Sequence, residues 1–226
     1  DTGNDTYVMK VYQDFTPSGG DCGFQTAVTL GTFDGVHVGH RRILEKVVSR
    51  SKQHGLDATA VTFDRPPSAV LKGVENPGLL STIDEKLDIF ENMGIDRTFI
   101  IRFTEETASI TAEEFIRNYL TGCFGMRYFM VGYDHRFGRD RGISPEELRI
   151  FGEKLGFDVE IMGPVSLNGF VVKSSTIRSL VREGDVRNAS ALLGNDYSIQ
   201  GMVLHGAGDG KAIGIPTANL LPENAD

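Results

Sequence analysis

The 226-residue sequence predicts an α/β protein with a Rossmann-like parallel sheet, helices on both faces of the sheet, and the start of a β-barrel domain near the C terminus. Two features carry this prediction. Short apolar, β-branched runs alternate about five times with segments of helical periodicity, which is typical of strands joined by crossover helices. After Gly194 the pattern changes to an alternating strand and a glycine-rich segment, which indicates an antiparallel unit.

Five buried strands are predicted from the apolar runs. They lie at 27–30, 58–63, 97–103, 128–131 and 157–162. The intervening helices begin at capping sequences such as Thr111-Ala112-Glu113-Glu114, and several of them end at glycine. Two further helices are predicted at about 174–183 and 186–193.

This pattern divides the chain into four parts. Residues 1–24 are predicted to be a loose N-terminal arm, 25–184 the α/β domain, 185–195 a linker helix, and 196–226 the opening of a β-rich domain. Because about thirty residues are too few to bury a core of their own, we expect the last part to be an incomplete domain.

The composition narrows the class of function. The net charge is −8 and no block of lysine and arginine occurs, which argues against a nucleic-acid partner. No apolar run approaches the ~20 residues of a membrane helix, and the first thirty residues lack a signal-peptide pattern. Cys22 and Cys123 favour thiols in a reducing compartment over a disulfide. We expect a cytoplasmic protein acting on small molecules, and the sequence does not predict its oligomeric state.

A glycine loop rich in histidine, Gly31–His40, follows the strand at 27–30 and leads into a helix. A helix N-terminus presents free N–H groups and partial positive charge, which suit phosphate. Gly39 lets backbone approach a ligand closely, and cationic or donor imidazoles of His37 and His40 would stabilise charge on a transferring phosphorus. A structural pair or a metal site is the alternative, although zinc ligands on a helix are usually spaced i, i+4 with a third ligand nearby.

Two other polar clusters are candidates for ligand contacts. Ser174 and Ser175 at a predicted helix start, with Arg178 beside them, form a second anion site; the alternative is an ordinary N-cap with solvent-facing charges. The segment Asp134–Phe137 directly follows a buried strand, where parallel-sheet proteins bind ligands; the alternative is a salt-bridged turn.

Taken in order, these motifs closely resemble the bacterial FAD synthetases, a family of bifunctional riboflavin kinase/FMN adenylyltransferases in the H-x-G-H nucleotidylyltransferase superfamily. Gly31–His40 resembles the family's G-x-F-D-G-V-H-x-G-H, 131–138 its V-G-x-D-F-R-F-G, and 174–178 its S-[ST]-x-I-R. The segment 214–219 is similar to the start of a riboflavin kinase domain. The resemblance covers the chain after about residue 24.

The resemblance implies that FMN and ATP react to give FAD and diphosphate in the presence of Mg²⁺. It implies catalytic roles for His37, His40 and Arg178. The implied nucleotide- and phosphate-binding residues are Gly31, Thr32, Phe33, Asp34, Gly39, Asp134, Ser174 and Ser175. Phe63, Arg136 and Phe137 would contact flavin or nucleotide, and Thr217 and Asn219 resemble the metal-nucleotide residues of the kinase half.

Departures from the family pattern leave alternatives open. The family's F-x-P-H-P is here Phe63-Asp64-Arg65-Pro66-Pro67, without the histidine, and His135 replaces a phenylalanine. The acceptor could instead be pantetheine phosphate or nicotinamide mononucleotide, or the chain could be a flavin- or nucleotide-binding regulator without catalysis. Riboflavin kinase activity is expected only in a full-length form.

Overall fold

The computed structural model describes residues 8–13, 23–73, 78–139, 143–206, 214–215 and 217–222. Its centre is a six-stranded sheet in which every neighbouring pair of strands is parallel. The strands are β1 (Lys10–Tyr12), β2 (Thr26–Leu30), β3 (Asp57–Phe63), β4 (Arg97–Ile101), β5 (Met126–Gly132) and β6 (Asp158–Met162). The predicted α/β class with a parallel sheet is confirmed.

Helices connect these strands and follow them. They are α1 (Val38–His54), α2 (Pro67–Lys72), α3 (Ile83–Asn92), α4 (Glu105–Ser109), α5 (Ala112–Glu114), α6 (Pro145–Leu155), α7 (Ser174–Arg182) and α8 (Val186–Leu193). A 3-10 turn, Asp34–Val36, precedes α1, and α5 continues into a π-helical segment, Phe115–Thr121. Two antiparallel hairpins pair β7 (Ser166–Leu167) with β8 (Phe170–Val171), and β9 (Gly201–Leu204) with β10 (Asn219–Pro222).

Helices cover both faces of the sheet, because the strands send alternate side chains to two separate cores. One core contains Val28 of β2 together with Ile116 and Leu148 from the α5–α6 side. The other core contains Leu44 of α1 and Phe90 of α3. A third cluster joins α7 and α8 and packs against the start of α1, which brings α7 beside the glycine loop.

The strand order is β1-β4-β3-β2-β5-β6. The chain therefore runs from β2 through β3 to β4 on one side, and then crosses to place β5 and β6 on the other side of β2. The loops after β2 and β5 leave the sheet at this change of direction. Parallel sheets bind ligands in the crevice outside the carboxyl ends of the strands at such a switch point.

The N-terminal arm differs from its prediction. Lys10–Tyr12 forms a strand that pairs in parallel with β4 at the edge of the sheet. The sequence analysis missed this strand because a run of three residues is too short to show periodicity. Residues 1–7 and 14–22 lie outside the described part of the chain, and with them Cys22, whereas Cys123 is buried.

A helix that the sequence analysis did not predict follows β3 at Pro66-Pro67. Pro67 is the first residue of α2, a position where proline's missing N–H costs nothing. The α4 helix and the β7–β8 hairpin were not predicted either. Beyond Gly194, β9 and β10 confirm the antiparallel pattern, although residues 207–213 and 216 of the glycine-rich segment lie outside the described residues. Within the described residues, no helix combines the length and apolarity needed to cross a bilayer.

Candidate active site

The glycine loop between β2 and α1 has an unusual backbone. Phe33, Gly35 and Val36 have φ values of 50°, 75° and 35°, in the left-handed region. This conformation is unfavourable for a bulky or β-branched residue and persists only where surrounding contacts enforce it. Here the Gly35 N–H donates to Ser81 Oγ at 2.9 Å, and the Phe33 side chain is buried. These contacts hold the loop in this conformation.

The two histidines lie together at the start of α1. His37 is the N-cap residue, and its Nδ1 accepts a hydrogen bond from the His40 N–H at 3.2 Å. The two rings stack at 3.6 Å between centroids with an interplanar angle of 12°. A Cβ at Gly39 would lie 3.2 Å from His37 ring atoms, a tight contact that would require the ring to shift by a few tenths of an ångström. Because Nδ1 of His37 is an acceptor, the neutral ring carries its proton on Nε2.

Burial determines the protonation of this pair. It lowers the pKa of His37 to about 4, and burial with the charges of His37 and Lys86 lowers the pKa of His40 well below its usual range. The sequence analysis allowed either a cationic or a neutral, hydrogen-bond-donating form of these two histidines. The lowered pKa values indicate that the neutral form is present at pH 7. The Nδ1 atom of His40 is buried without a hydrogen-bond partner among the described residues.

Asp34 links the glycine loop to two other segments. Its carboxylate accepts hydrogen bonds from the Leu80 N–H at 2.8 Å and from Arg178 Nη1 at 2.5 Å. Ser174 Oγ donates to the Asp34 carbonyl at 3.0 Å. Burial raises the pKa of Asp34, whereas the Leu80 amide and the charges of Arg178 and Lys86 lower it. The structure thus brings the histidine loop and the Ser174–Arg178 cluster together.

The N-terminus of α7 has no side-chain cap. Lys173 occupies the N-cap position, but its Nζ instead pairs with the Asp134 carboxylate at 2.9 Å, near the Tyr133 ring. Ser175 in the first turn is exposed. The Lys173 side chain therefore leaves the first N–H groups of α7 available to an anion, which favours the anion-site interpretation over an ordinary N-cap. The Lys173–Asp134 pair also joins α7 to the loop after β5.

The sequence analysis missed Lys86, which lies on α3 beneath the glycine loop. Its side chain is buried, and Nζ donates to the Thr32 carbonyl at 3.2 Å. A signal existed, because Ile83, Lys86 and Phe90 fall on one face of the helix at spacings of three and four. A lysine on the apolar face of an amphipathic helix indicates a buried charge with a specific partner.

Of the three predicted flavin contacts, two are aromatic side chains that pack against other rings and one is an exposed arginine. Phe63 meets Phe103 edge-on at 5.4 Å at the carboxyl ends of β3 and β4, and Phe137 packs against the core with Phe115 at 5.8 Å. Arg136 is exposed.

Two further positions complete the comparison with the sequence. His135 is half-buried beside Phe137, and desolvation of its ring lowers its pKa to about 4. Its buried Nε2 atom has no hydrogen-bond partner among the described residues. Thr217 and Asn219 are exposed at and beside β10.

The sheet order and the paired histidines at a helix N-terminus define a Rossmann-like α/β protein whose candidate site lies at the switch point of the sheet. More specifically, the chain belongs to the FAD synthetase family: residues 22–176 match the family model for FAD synthetase. Residues 193–226 match the model for riboflavin kinase.

Individual relatives agree with this family. The bifunctional riboflavin kinase/FMN adenylyltransferase of Buchnera aphidicola subsp. Schizaphis graminum is 33% identical over 196 residues, which are 86% of this chain and 63% of the relative. That of Escherichia coli K12 is 31% identical over 193 residues, 85% and 62% of the two chains. The chain thus spans less than two thirds of these relatives. A crystal structure described as a macrolide-efflux protein from Streptococcus pneumoniae superposes with a TM-score of 0.83 at 26% identity, covering 95% of this chain and 70% of that one.

Proposed function

We propose that this chain is an FMN adenylyltransferase, which converts FMN and ATP into FAD and diphosphate. The observation that carries the proposal is the stacked pair His37 and His40 at the N-terminus of α1, tied through Asp34 to Arg178. This geometry provides donors for two adjacent phosphate groups in a domain of the FAD synthetase family. The curated relatives carry the same activity in their names.

The chemistry requires positioning and charge neutralisation. A phosphate oxygen of FMN attacks the α-phosphorus of ATP in line, a new P–O bond forms, and the bond to the β-phosphate oxygen breaks to release diphosphate. A phosphate monoester is already a nucleophile at neutral pH, so no strong base is needed. His37 would donate from Nε2 to the α-phosphoryl oxygens, and His40 would support the same developing charge. The N–H groups of Thr32 and Phe33 would contact phosphate beside them.

The diphosphate leaving group needs a second set of hydrogen-bond donors. Ser174, Ser175, the open N–H groups of α7 and Arg178 would hold the β- and γ-phosphates. Arg178 uses Nη1 for Asp34, and a guanidinium has five N–H donors, so it can bind phosphate without leaving that carboxylate.

Mg²⁺ and flavin are assigned to the neighbouring loops. Mg²⁺ is held by carboxylates and substrate phosphates, and Asp134 offers an exposed carboxylate at the same crevice. Bound there, the ion would neutralise phosphate charge. We assign the flavin to the loops after β3 and β5, with Phe63, Arg136 and Phe137 as its contacts. The cytoplasmic location expected from composition stays a prediction.

An acceptor panel tests this function. The chain is incubated with ATP, Mg²⁺ and one of FMN, pantetheine phosphate, nicotinamide mononucleotide or riboflavin, and diphosphate release is measured. FMN alone is expected to release diphosphate and to yield FAD. Riboflavin is expected to give no FMN, because residues 193–226, which match the riboflavin kinase model, are too few to bury a core of their own. Tight FMN or ATP binding without diphosphate release would indicate a regulator instead.

A further inference from the structure

Lys86 is a buried charge that the reaction as described does not use. It projects from the first turns of α3 and is only 5% exposed. Its Nζ donates to the Thr32 carbonyl at 3.2 Å, and the Thr62 hydroxyl donates to the same oxygen at 3.3 Å. Two side chains from different elements, α3 and β3, therefore fix one carbonyl of the glycine loop.

The position of the Thr32 carbonyl determines the direction of the Phe33 N–H. The Thr32 carbonyl and the Phe33 N–H belong to one peptide unit, which is planar and trans, so the two groups point in opposite directions. Because Lys86 and Thr62 hold the carbonyl on the protein side, the Phe33 N–H is directed away from them. No acceptor for this N–H occurs among the described residues. It is free to meet a phosphate oxygen.

The charge of Lys86 acts on two neighbours. It attracts the buried Asp34 carboxylate, which also pairs with Arg178 at 2.5 Å, so two cations flank one carboxylate beneath the loop. It also acts on His40, whose other titratable neighbour is His37 on the same loop. Lys86 and Arg178 together outweigh the charge of Asp34 by one positive charge. This excess favours an anionic ligand at the loop, and it disfavours protonation of the His40 imidazole.

We propose that Lys86 is a positioning residue for nucleotidyl transfer, which aims the Phe33 N–H at the phosphate and places a positive charge behind the glycine loop. The part that concerns phosphate rests on the proposed function, whereas the charge behind the loop does not. Lys86 reaches the substrate through Thr32, so its removal would act on ATP and leave FMN binding unchanged.

The test compares Lys86→Met, Lys86→Arg and the exposed Lys154→Met of α6 with the wild-type chain. We expect Lys86→Met to lower kcat/KM for ATP at least about tenfold, because a displaced donor is costly in a phosphoryl-transfer site, with KM for FMN within about twofold. Lys86→Arg should restore part of the loss, and Lys154→Met should match the wild type. Circular dichroism melting of each variant reports on folding.

A titration separates this role from a merely structural one. With ¹³C-labelled histidine, the NMR signal of His40 is followed against pH in the wild type and in each variant. Removing a like charge favours the imidazolium, so the His40 pKa should rise in Lys86→Met by at least ~0.5, and stay unchanged in Lys86→Arg.

Three results would overturn the proposal. The first is a wild-type His40 that titrates near its ordinary value of about 6.5, which can be measured even if no variant folds. The second is a Lys86→Met chain whose His40 titration and ATP kinetics are both unchanged. The third is a loss of activity that follows melting temperature alone. If the wild-type chain forms no FAD, the proposed function fails, while the His40 titration still decides the charge effect of Lys86.

Discussion

At the scale of single residues, the phosphate-binding role proposed for the stacked histidines does not require a positive charge on either ring. The His37 ring is oriented by a hydrogen bond from the His40 N–H at 3.2 Å, so its Nε2–H points away from the helix. Burial keeps both rings neutral. A neutral imidazole donates one hydrogen bond, and a bound triphosphate would itself raise the pKa of the ring. The pair can therefore respond to developing charge.

Replacing His40 tests this role. His40→Ala is expected to lower kcat for FAD formation by about 10²–10³, as for the loss of one donor to transition-state charge. His54→Ala, at the exposed C-terminal end of the same helix, is the matched control and should keep the wild-type rate. Stopped-time assays resolved by chromatography measure both. A His40→Ala rate within about threefold of the wild type would remove the histidines from the mechanism.

Sequence analysis succeeded and failed at this scale for identifiable reasons. His37 and His40 could be predicted because spacing and glycine content are local properties of the chain. The partners of Asp34 could not, since Leu80 and Arg178 are brought to it only by tertiary packing. Lys86 was missed, although a lysine on the apolar face of α3 indicates a buried charge with a specific partner.

At the scale of elements, α7 completes the site by binding the glycine loop through Ser174 and Arg178. Its N-terminus lacks a side-chain cap, and its inner face packs with α8.

The α7 helix itself could be predicted from its periodicity. Its docking onto the glycine loop could not be predicted from local sequence, because the hydrogen-bonded residues of the two segments are 140 and 144 positions apart. The edge strand β1 and helix α2 were missed since each is too short for a periodic pattern.

A double substitution separates the structural and phosphate-binding roles of Arg178. Arg178→Ala leaves the buried Asp34 carboxylate without its ion-pair partner, and is expected to lower the melting temperature. Adding Asp34→Asn removes the unpaired charge and should recover most of that stability. The KM for ATP should nevertheless stay raised by about tenfold or more in the double variant, because the phosphate clamp is still absent.

The control for this pair is Arg182→Ala, an exposed arginine in the last turn of the same helix. It should change neither the melting temperature nor the KM for ATP. Recovery of normal ATP kinetics in the Asp34→Asn, Arg178→Ala chain would contradict a phosphate role for Arg178 and leave it a purely structural partner of Asp34.

At the scale of the whole molecule, the sheet determines where chemistry occurs. The strand order places the loops after β2 and β5 on either side of the switch point, and α7 approaches both of them, through Asp34 and through Asp134. The alternation of strands and helices predicted this sheet from the sequence. The order of its strands was not predicted, because it depends on which crossovers pass over which face.

Buried neutral histidines also predict how stability depends on pH. The pKa of His37 is about 4 in the folded chain, below its ordinary value of 6.5. Between these values the unfolded chain binds the extra proton, so the free energy of unfolding falls as the pH is lowered from about 6.5 toward 4. The loss is at most about 1.4 kcal/mol per pH unit for each such histidine, and His40 adds to it.

Urea unfolding at several pH values between 4 and 8 measures this dependence. Stability should be level above pH 6.5, and a His37→Gln, His40→Gln chain should show a shallower fall on the acid side. Equal slopes in both chains would show that the two rings do not titrate as the structure requires.

The most direct test of the account is to follow the α-phosphate of ATP. The chain is incubated with FMN, Mg²⁺ and ATP labelled at the α-phosphorus, and the products are separated by chromatography. We predict that the label appears in FAD, with one diphosphate released for each FAD formed, and that His40→Ala abolishes nearly all of it. If FMN and ATP both bind, but the label stays in ATP or appears only in AMP or ADP, nucleotidyl transfer to FMN is contradicted.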